Sequence, residues 1–272
     1  HFTIKYIPAI DGSTIYVNKD AVLSSEDAKR GVINSSSTDL KNAVSYNWDN
    51  SNKDYAVSTK DVGTYNGMID VAYQIGKDKP LTKVAVGVKV VVVDLNGKDQ
   101  YTHIGADIPT AETSINGAPA GSKATWTEKP STDKAGKSEG VVEVTYPAGN
   151  KGTTTSTLNV IAPDVKDPIH VWEGDPVPKA PTVVNNTGDI ANKIPGTTTY
   201  TWDKTPDTSV PGTVEGTIVT HWPDGKTTNT STTIVVDKRY VDVTEGKGTT
   251  ENITRTIYTQ LEGHDPEYKD TQ

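Results

Sequence analysis

Cysteine is absent from the 272-residue sequence. The chain therefore forms no disulfides, has no thiolate nucleophile and cannot bind a metal ion through cysteine. An extracellular protein without disulfides is less typical of animal secretion than of a bacterial surface. Because many cytosolic proteins also lack cysteine, this composition favours a bacterial surface without excluding the cytosol.

The sequence also lacks long apolar runs and any excess of positive charge. Its longest apolar stretch, around residues 90–93, is far too short to span a bilayer. The 35 acidic and 27 basic residues are interspersed and give a net charge of −8. Polyanions and anionic lipids are bound by clustered Lys and Arg. We therefore expect no nucleic-acid binding and no membrane insertion.

Hydrophobic residues make up 33% of the chain and phenylalanine occurs once, whereas Thr, Val, Gly, Pro, Asn and Asp recur throughout. This composition favours many short strands joined by turns around thin cores. No long amphipathic helix is present. We expect at most one short helical turn per copy of the repeat described next, within residues 26–34, within residues 111–116, and within residues 181–186 followed by 189–193.

A period of 76 residues organises the middle of the chain. Trp126 recurs as Trp202, and six further residues keep their positions relative to it. These pairs are Pro130 and Pro206, Gly136 and Gly212, Glu139 and Glu215, Gly140 and Gly216, Pro147 and Pro223, and Gly149 and Gly225. Two copies of one module therefore follow each other.

A third and more divergent copy lies upstream. Trp48 is followed by Gly63 and Gly67, with the same Gly-x-x-x-Gly spacing, and then by Tyr73. The interval from the tryptophan to the first glycine is five residues longer than in the later copies. We interpret the difference as a loop insertion at residues 50–55.

Alternating apolar residues after the second glycine predict a half-buried strand in every copy. They are Ile69, Val71 and Tyr73, then Val142, Val144 and Tyr146, then Ile218, Thr220 and Trp222. In the later copies a Pro-x-Gly turn predicts a hairpin to a returning strand. That strand carries Leu158 and Val160 in one copy and Ile234 and Val236 in the other, and an extended segment at 84–93 replaces it in the first.

The repeat predicts four segments. Residues 1–97 form a divergent module, residues 98–164 and 165–238 form two regular modules, and residues 239–272 begin a different module or tail. Residues 94–100 and 162–168 are short, polar and contain Pro or Gly, so we interpret them as linkers. Short linkers hold neighbouring modules end to end.

The third copy resembles the Rib/alpha-like repeat of Gram-positive surface proteins. The resemblance rests on Pro-Gly-Thr-Thr-Thr-Tyr-Thr-Trp at 195–202, Pro-Asp-Thr at 206–208, Pro211-Gly212 and Trp-Pro-Asp-Gly at 222–225. The second copy fits at 124–126 and 146–149, whereas the first lacks the Pro-x-Gly turn after Tyr73. The resemblance implies an all-β fold of tandem small immunoglobulin-like (Rib-like) β-sandwich modules, arranged end to end as a rigid stalk.

Residues 251–258 resemble the first strand of the mucin-binding-type repeats of lactobacilli. Together the two resemblances imply a Lactobacillus-type, cell-wall-associated surface or mucus-interacting protein, located outside the cell. The sequence shows neither a signal peptide nor a wall-sorting tail, so we interpret it as an internal segment of a longer protein.

No catalytic constellation can be recognised. Nucleophile elbow, P-loop, HExxH and dinucleotide motifs are all missing. Five histidines, His1, His103, His170, His221 and His264, are scattered and interpreted as solvated or edge-strand residues. Glu139 and Glu215 hold one repeat position in separate modules, so they do not form a glycosidase pair. We expect no enzyme activity, with no catalytic, cofactor-binding or metal-binding residue.

Calcium binding and sugar stacking are the alternatives to this structural interpretation. Asp94, Asn96 and Asp99, and the segment 11–20, offer oxygen ligands but not the EF-hand spacing, so plain turns are favoured. The repeated Trp48, Trp126 and Trp202 are interpreted as core anchors rather than a sugar platform. Trp172 has no counterpart and is the better candidate for an exposed binding aromatic, although packing on a linker is favoured.

The sequence therefore predicts a monomeric structural stalk or spacer within a bacterial surface adhesin. The main alternative is that the modules themselves bind mucin, a host matrix protein or a glycan. A further alternative is an accessory region of a wall-active enzyme. A binding module would need an exposed aromatic or charged patch of a few hundred Å².

Overall fold

Short strands dominate the architecture. The computed structural model describes residues 12–33, 43–74, 78–238, 241–245, 253–257 and 268–271. Contacts group the chain into two units, one of residues 1–100, 108–131 and 137–159, and one of residues 101–107, 132–136 and 160–272. The described residues contain 17 strands and two short α-helices, β1 to β17 and α1 to α2. The expected all-β class is confirmed.

The first sheet lies within residues 14–93. It contains β1 (Thr14–Asn18), β2 (Ala43–Trp48), β3 (Gly63–Tyr73) and β4 (Thr82–Val93), in the order β1-β4-β3-β2. β1 runs parallel to β4, whereas the β2–β3 and β3–β4 pairs are antiparallel. Between β1 and β2 the chain forms α1 (Ser25–Ile33), and a 3-10 turn at Lys53–Tyr55 occupies the predicted insertion.

The second sheet has the order β6-β10-β9-β8. Its strands are β6 (Asp99–His103), β8 (Lys123–Glu128), β9 (Gly136–Thr145) and β10 (Lys151–Ile161). The short strands β5 (Asn96–Gly97) and β7 (Ile115–Asn116) form a separate antiparallel pair. A 3-10 turn at Glu112–Ser114 precedes β7.

The third sheet repeats the pattern with the order β11-β14-β13-β12. It contains β11 (Ile169–Trp172), β12 (Thr199–Trp202), β13 (Gly212–His221) and β14 (Thr227–Asp237), and β11 is parallel to β14. A 3-10 turn at Ala180–Val183 and the helix α2 (Thr187–Lys193) connect β11 to β12. All three four-stranded sheets thus share one strand order, which confirms the tandem organisation.

The last sheet is antiparallel and three-stranded. It is formed by β15 (Val241–Glu245), β16 (Ile253–Ile257) and β17 (Tyr268–Thr271). β16 covers the centre of the stretch 251–258 that resembles a mucin-binding repeat, and the ends of that stretch lie outside the described residues.

The alternation expected in the repeat strands is confirmed. The nine alternating residues that follow the second glycine of each copy are all buried. Leu158, Val160, Ile234 and Val236 on the returning strands are buried as well. The predicted hairpins are also present, with a left-handed φ of 86° at both Gly149 and Gly225. Each four-stranded sheet therefore has one buried face, against which the helical segments pack.

Two expectations about the connecting segments are wrong. α1 has nine residues rather than a single turn, and α2 has seven. Residues 94–100 are not a free linker, because they include β5 and because Leu95 is only 4% exposed within a core. Val165 likewise bridges to Val184 and packs on the third core, so the second proposed linker is partly folded.

Candidate functional site

The repeat tryptophan of every copy packs on the second glycine of its own copy. A Cβ atom added to Gly67, Gly140 or Gly216 would lie 2.8, 2.6 or 2.7 Å from ring carbon Cζ3 of Trp48, Trp126 or Trp202, respectively. Real Cβ atoms do not approach a ring carbon this closely. Glycine at this position therefore allows the indole to lie flat on the strand.

The three indole N–H groups are also used in the same way. Each Nε1 donates a 2.9 Å hydrogen bond to a backbone carbonyl, at Ser24, Pro109 or Pro178. Each of these carbonyls precedes a helical segment of its copy, so the tryptophan fastens that segment to the sheet. All three indoles are half-buried and pack on the edges of their cores.

The most deeply buried aromatic of each copy is instead the residue at the end of the following strand segment. These residues are Tyr73, Tyr146 and Trp222. Burial raises the pKa of Tyr146 to about 12. The core-anchor interpretation of the repeat tryptophans therefore needs correction, because they seal the edge of a core whose centre holds a different aromatic.

A clamped turn follows the first strand of every four-stranded sheet. The second residue after the strand has a left-handed φ, of 62° at Asp20, 74° at Gly105 and 78° at Gly174. The next carbonyl accepts a hydrogen bond from a threonine hydroxyl in each case. The pairs are Thr59 to Ala21 at 2.7 Å, Thr132 to Ala106 at 2.7 Å and Thr208 to Asp175 at 2.6 Å.

Aromatic stacking joins residues of successive copies. In the first unit, Tyr16 of β1 stacks on Tyr146 with ring centroids 5.8 Å apart, and the Asn150 side-chain amide donates to the Tyr16 carbonyl. In the second unit, His103 stacks on Trp222 with centroids 4.3 Å apart and an interplanar angle of 6°. Tyr146 and Trp222 are equivalent in the repeat, so two copies use the same position for this contact.

His103 corrects the expectation of a solvated histidine. It does end an edge strand, β6, but it is only 4% exposed, and its Nε2 lies 2.7 Å from Asp224 Oδ2. His170 is half-buried with Nδ1 3.0 Å from Asp237 Oδ2, and His221 Nε2 lies 2.9 Å from the Thr201 hydroxyl. His1 and His264 lie outside the described residues.

The carboxylates considered in the sequence are not brought together. Within the described ranges, no group of three or more His, Asp or Glu side chains could hold a metal ion. The Asn96 side-chain amide donates a 3.1 Å hydrogen bond to the Asp94 backbone carbonyl, and the Asp99 carboxylate accepts a hydrogen bond from the Asn159 amide. Glu139 and Glu215 are exposed on separate strands. The expected absence of catalytic, cofactor and metal residues stays a prediction.

Exposed large apolar side chains are few in the described part of the chain. They are Val22, Val44, Val62, Leu81, Tyr101 and Val210. Tyr101 is the aromatic member, and the Lys193 ammonium lies 4.3 Å from its ring centroid. Trp172, the candidate binding aromatic, is half-buried at the end of β11. Neither described helix is long or apolar enough to cross a membrane.

Comparison with known proteins accounts for the repeat. The Rib domain family matches two segments, residues 93–162 and 161–238. The chain is 30% identical over 197 residues to the C protein alpha-antigen of Streptococcus agalactiae serotype Ia. That match covers 63% of this chain and 19% of the relative, so the chain spans about a fifth of the relative's length.

Solved structures give weaker likenesses. A Rib structure from Streptococcus pyogenes is 27% identical, with 25% of this chain and 92% of that chain covered and a TM-score of 0.24. The human desmocollin-1 ectodomain is 10% identical, with 72% and 52% covered and a TM-score of 0.16. At these TM-scores neither likeness bears on the fold of this chain.

The sequence resemblance to Rib repeats is confirmed, whereas the Lactobacillus-type source and the mucin-binding likeness of the tail stay predictions. The two matched segments run from residue 93 to residue 238, which is more than half of the chain. The protein therefore belongs to the Rib domain family.

Proposed function

We propose that this chain is a structural stalk or spacer in a cell-wall-associated adhesin of a Gram-positive bacterium, where it projects a binding domain from the cell surface. The proposal starts from the tandem Rib domains. The streptococcal relative is named an antigen, which fits a protein that is exposed outside the cell. The chain itself acts as a monomer, without enzyme activity or cofactor.

The observation that carries the proposal is the repeated contact between successive copies. Tyr146 contacts Tyr16 of the preceding copy, and the equivalent Trp222 contacts His103 of its preceding copy. A repeat array can grow by adding units when each unit offers its neighbour a contact at the same position. Such an array gains length without needing a ligand site in any unit.

We include residues 1–97 in the array as a third, divergent Rib-like module, ahead of modules at 98–164 and 165–238 and a different module from 239 onward. Three features of the first sheet support its inclusion. It has the strand order of the other two sheets, the same tryptophan on glycine and the same clamped turn. The first copy lacks the Pro-x-Gly turn after Tyr73, and none of these three features involves that position.

Binding of mucin, a host matrix protein or a glycan by the modules themselves is the rival function. A surface that stacks on sugars needs accessible aromatic rings. In the repeated tryptophans the indole N–H donates to a backbone carbonyl and the ring packs on a glycine, so these parts of the ring are used within the module. This arrangement favours a structural role.

A display experiment separates the two functions. The chain is placed between a wall anchor and a terminal binding tag on a bacterial surface, and cell capture by a tag ligand buried under a thick polymer brush is measured. We expect capture to fall when residues 93–238 are replaced by a Gly/Ser linker of equal length, because a flexible linker has a shorter mean reach. Equal capture by both chains, or capture on mucin, matrix protein or glycan without the tag, would contradict the spacer function.

A further inference from the structure

The last residue of the first strand occupies an equivalent place in all three four-stranded sheets. These residues are Asn18 in β1, His103 in β6 and Trp172 in β11. In each sheet the N–H of the following residue donates to the carbonyl of the residue at which the last strand ends. The pairs are Lys19 to Val93 at 2.7 Å, Ile104 to Ile161 at 2.9 Å and Glu173 to Asp237 at 2.9 Å. All three residues therefore lie where the chain leaves its own sheet for the next domain.

Asn18 and His103 both use their side chains to hold the next domain. The Asn18 side-chain amide donates to the Leu95 carbonyl at 3.3 Å, and its Oδ1 accepts from the Leu95 N–H at 2.8 Å. Leu95 is buried in the core of the second sheet. His103 stacks on Trp222 and contacts Asp224, which belong to the domain of the third sheet. Side chains of different chemistry thus serve one position.

The residue two positions earlier in the same strand also contacts the next domain. Side chains two residues apart in a strand lie on the same face of the sheet. Tyr16 of β1 stacks on Tyr146, and the Tyr101 ring of β6 lies 4.3 Å from the ammonium of Lys193 in α2. In the first two sheets, both residues on the outer face at the end of the first strand therefore bind the domain that follows.

β11 has the corresponding outer face. Ile169 and Val171 are buried in the third core, so His170 and Trp172 face away from it. His170 Nδ1 lies 3.0 Å from Oδ2 of Asp237 in its own sheet, which holds the imidazole within its own domain. Trp172 is half-buried and pairs with Asp237 across the parallel ladder. The indole therefore stands at the end of β14, beside the exit of the chain.

We propose that Trp172 is the docking residue for the domain that follows the third sheet, the domain of strands β15, β16 and β17. Chain length favours this occupant over an external ligand. β14 ends at Asp237 and β15 begins at Val241, and a chain of four residues spans at most about 14 Å. The following domain thus begins within reach of the indole. The inference rests on the proposed division of the chain, in which a different module begins at residue 239.

The chemistry of the indole sets the kind of surface that Trp172 fits. Asn18 offers a donor and an acceptor to a backbone, and His103 offers a ring to an indole and a nitrogen to a carboxylate. An indole has a large apolar face and a single N–H donor. It therefore gains most by covering an uncharged surface, and its contact with the following domain depends on apolar burial.

Amide hydrogen exchange of the full-length chain, followed by NMR, tests the docking. β16 is the central strand of the last sheet, so its amides report the opening of that domain. We expect Trp172→Ala to raise their exchange rates about tenfold or more, as loss of a tryptophan from an interface does, and to affect β13 of the third sheet less. Trp172→Phe keeps a ring and should recover most of the protection. The matched control is Trp202→Phe, which changes the third domain away from the chain exit and should leave β16 unchanged.

Equal β16 exchange rates in the wild type and in Trp172→Ala, or equal acceleration by Trp172→Ala and Trp202→Phe, would overturn the proposal. Unchanged rates with a smaller mass of Trp172→Ala in light scattering would overturn it too, and would assign the indole to a contact with a second copy of the chain. Unprotected β16 amides in the wild type would contradict both the docking and the proposed module after residue 239. Protected amides that do not respond to Trp172→Ala would contradict the docking alone. The display experiment tests the spacer function separately.

Discussion

At the scale of single residues, the most informative contact is the indole on a glycine. The ring, the glycine and the hydrogen bond from Nε1 recur in all three copies, including the divergent first copy. Because the tryptophan joins a helical segment to the sheet, it contributes to stability although part of its surface stays in water. Its repeated position therefore has a structural explanation without a ligand.

Truncation of this tryptophan tests that explanation. We expect Trp202→Ala to destabilise the third-sheet domain by about 3 kcal/mol, the lower end for a large aromatic because the ring is half-buried. Trp202→Phe keeps most of the ring but loses the N–H, and should cost about 1 kcal/mol plus a small packing loss. Chemical denaturation followed by fluorescence measures both. An unchanged unfolding curve for Trp202→Ala, with loss of glycan or mucin binding instead, would show that the indole is a ligand site.

The glycine beneath the ring provides an independent test. In Gly216→Ala the new methyl group would lie 2.6 Å from Ile234 Cδ1 and 2.7 Å from Trp202 Cζ3, and such overpacking costs about 1–3 kcal/mol. The control is Gly188→Ala in α2, where a Cβ meets nothing within 4 Å and alanine gains up to about 1 kcal/mol from helix propensity. Opposite shifts in melting temperature are expected. Equal shifts would mean that the close approach at Gly216 relaxes at little cost.

At the scale of elements, the sequence predicted the strands better than the helices. Period-two alternation depends on neighbouring residues, so it identified the buried positions of β9, β10, β13 and β14. The extent of α1 depends on tertiary contacts that a short sequence window does not contain, namely the burial of Ala28 and Val32 against the sheet. The parallel pairing of β1 with β4 likewise joins residues about 75 positions apart.

A local signal for α1 was nevertheless present in the sequence. The Ser24 hydroxyl accepts a hydrogen bond from the Asp27 N–H at 3.1 Å, and the Asp27 carboxylate accepts one from the Ser24 N–H at 2.9 Å. This reciprocal pattern is a capping box with Asp in place of Glu. The spacing of Ser24 and Asp27 could therefore have predicted where the helix begins, although not how far it extends.

Removing this cap should weaken the first sheet domain. We expect Ser24→Ala to cost about 1 kcal/mol, because the first turn of α1 loses a hydrogen-bond acceptor for a backbone N–H. Ser24→Asp restores an acceptor and should return most of that stability. Neither change touches the Ser24 carbonyl that binds Trp48. Urea unfolding of the three proteins measures the differences, and equal stabilities would show that packing alone holds α1.

The candidate contacts between copies were the part that sequence reasoning missed. His103 and Asp224 are 121 positions apart, so no local pattern places them together. The available signal was indirect, since Tyr146 and Trp222 keep an aromatic at one repeat position immediately before a turn. Each of these two aromatics stacks on a ring of the preceding copy, and the two stacking rings do not occupy equivalent positions in the repeat.

At the scale of the whole molecule, the account depends on whether the domains act as a spacer. Each four-stranded sheet has its own buried cluster, so the described residues do not share a single core. When each domain has its own core and contacts its sequence neighbours, every unit that is added makes the array longer. A spacer must therefore be longer in solution than a compact protein of equal mass.

Small-angle X-ray scattering of the full chain tests this claim most directly. A single compact domain of this length would have a radius of gyration of roughly 18 Å. For a spacer we expect a radius of gyration above roughly 25 Å and a distance distribution with a long tail. The value should not depend on protein concentration if the chain is monomeric. A radius near the compact estimate would contradict the spacer function and would favour domains that pack side by side to form a binding cleft.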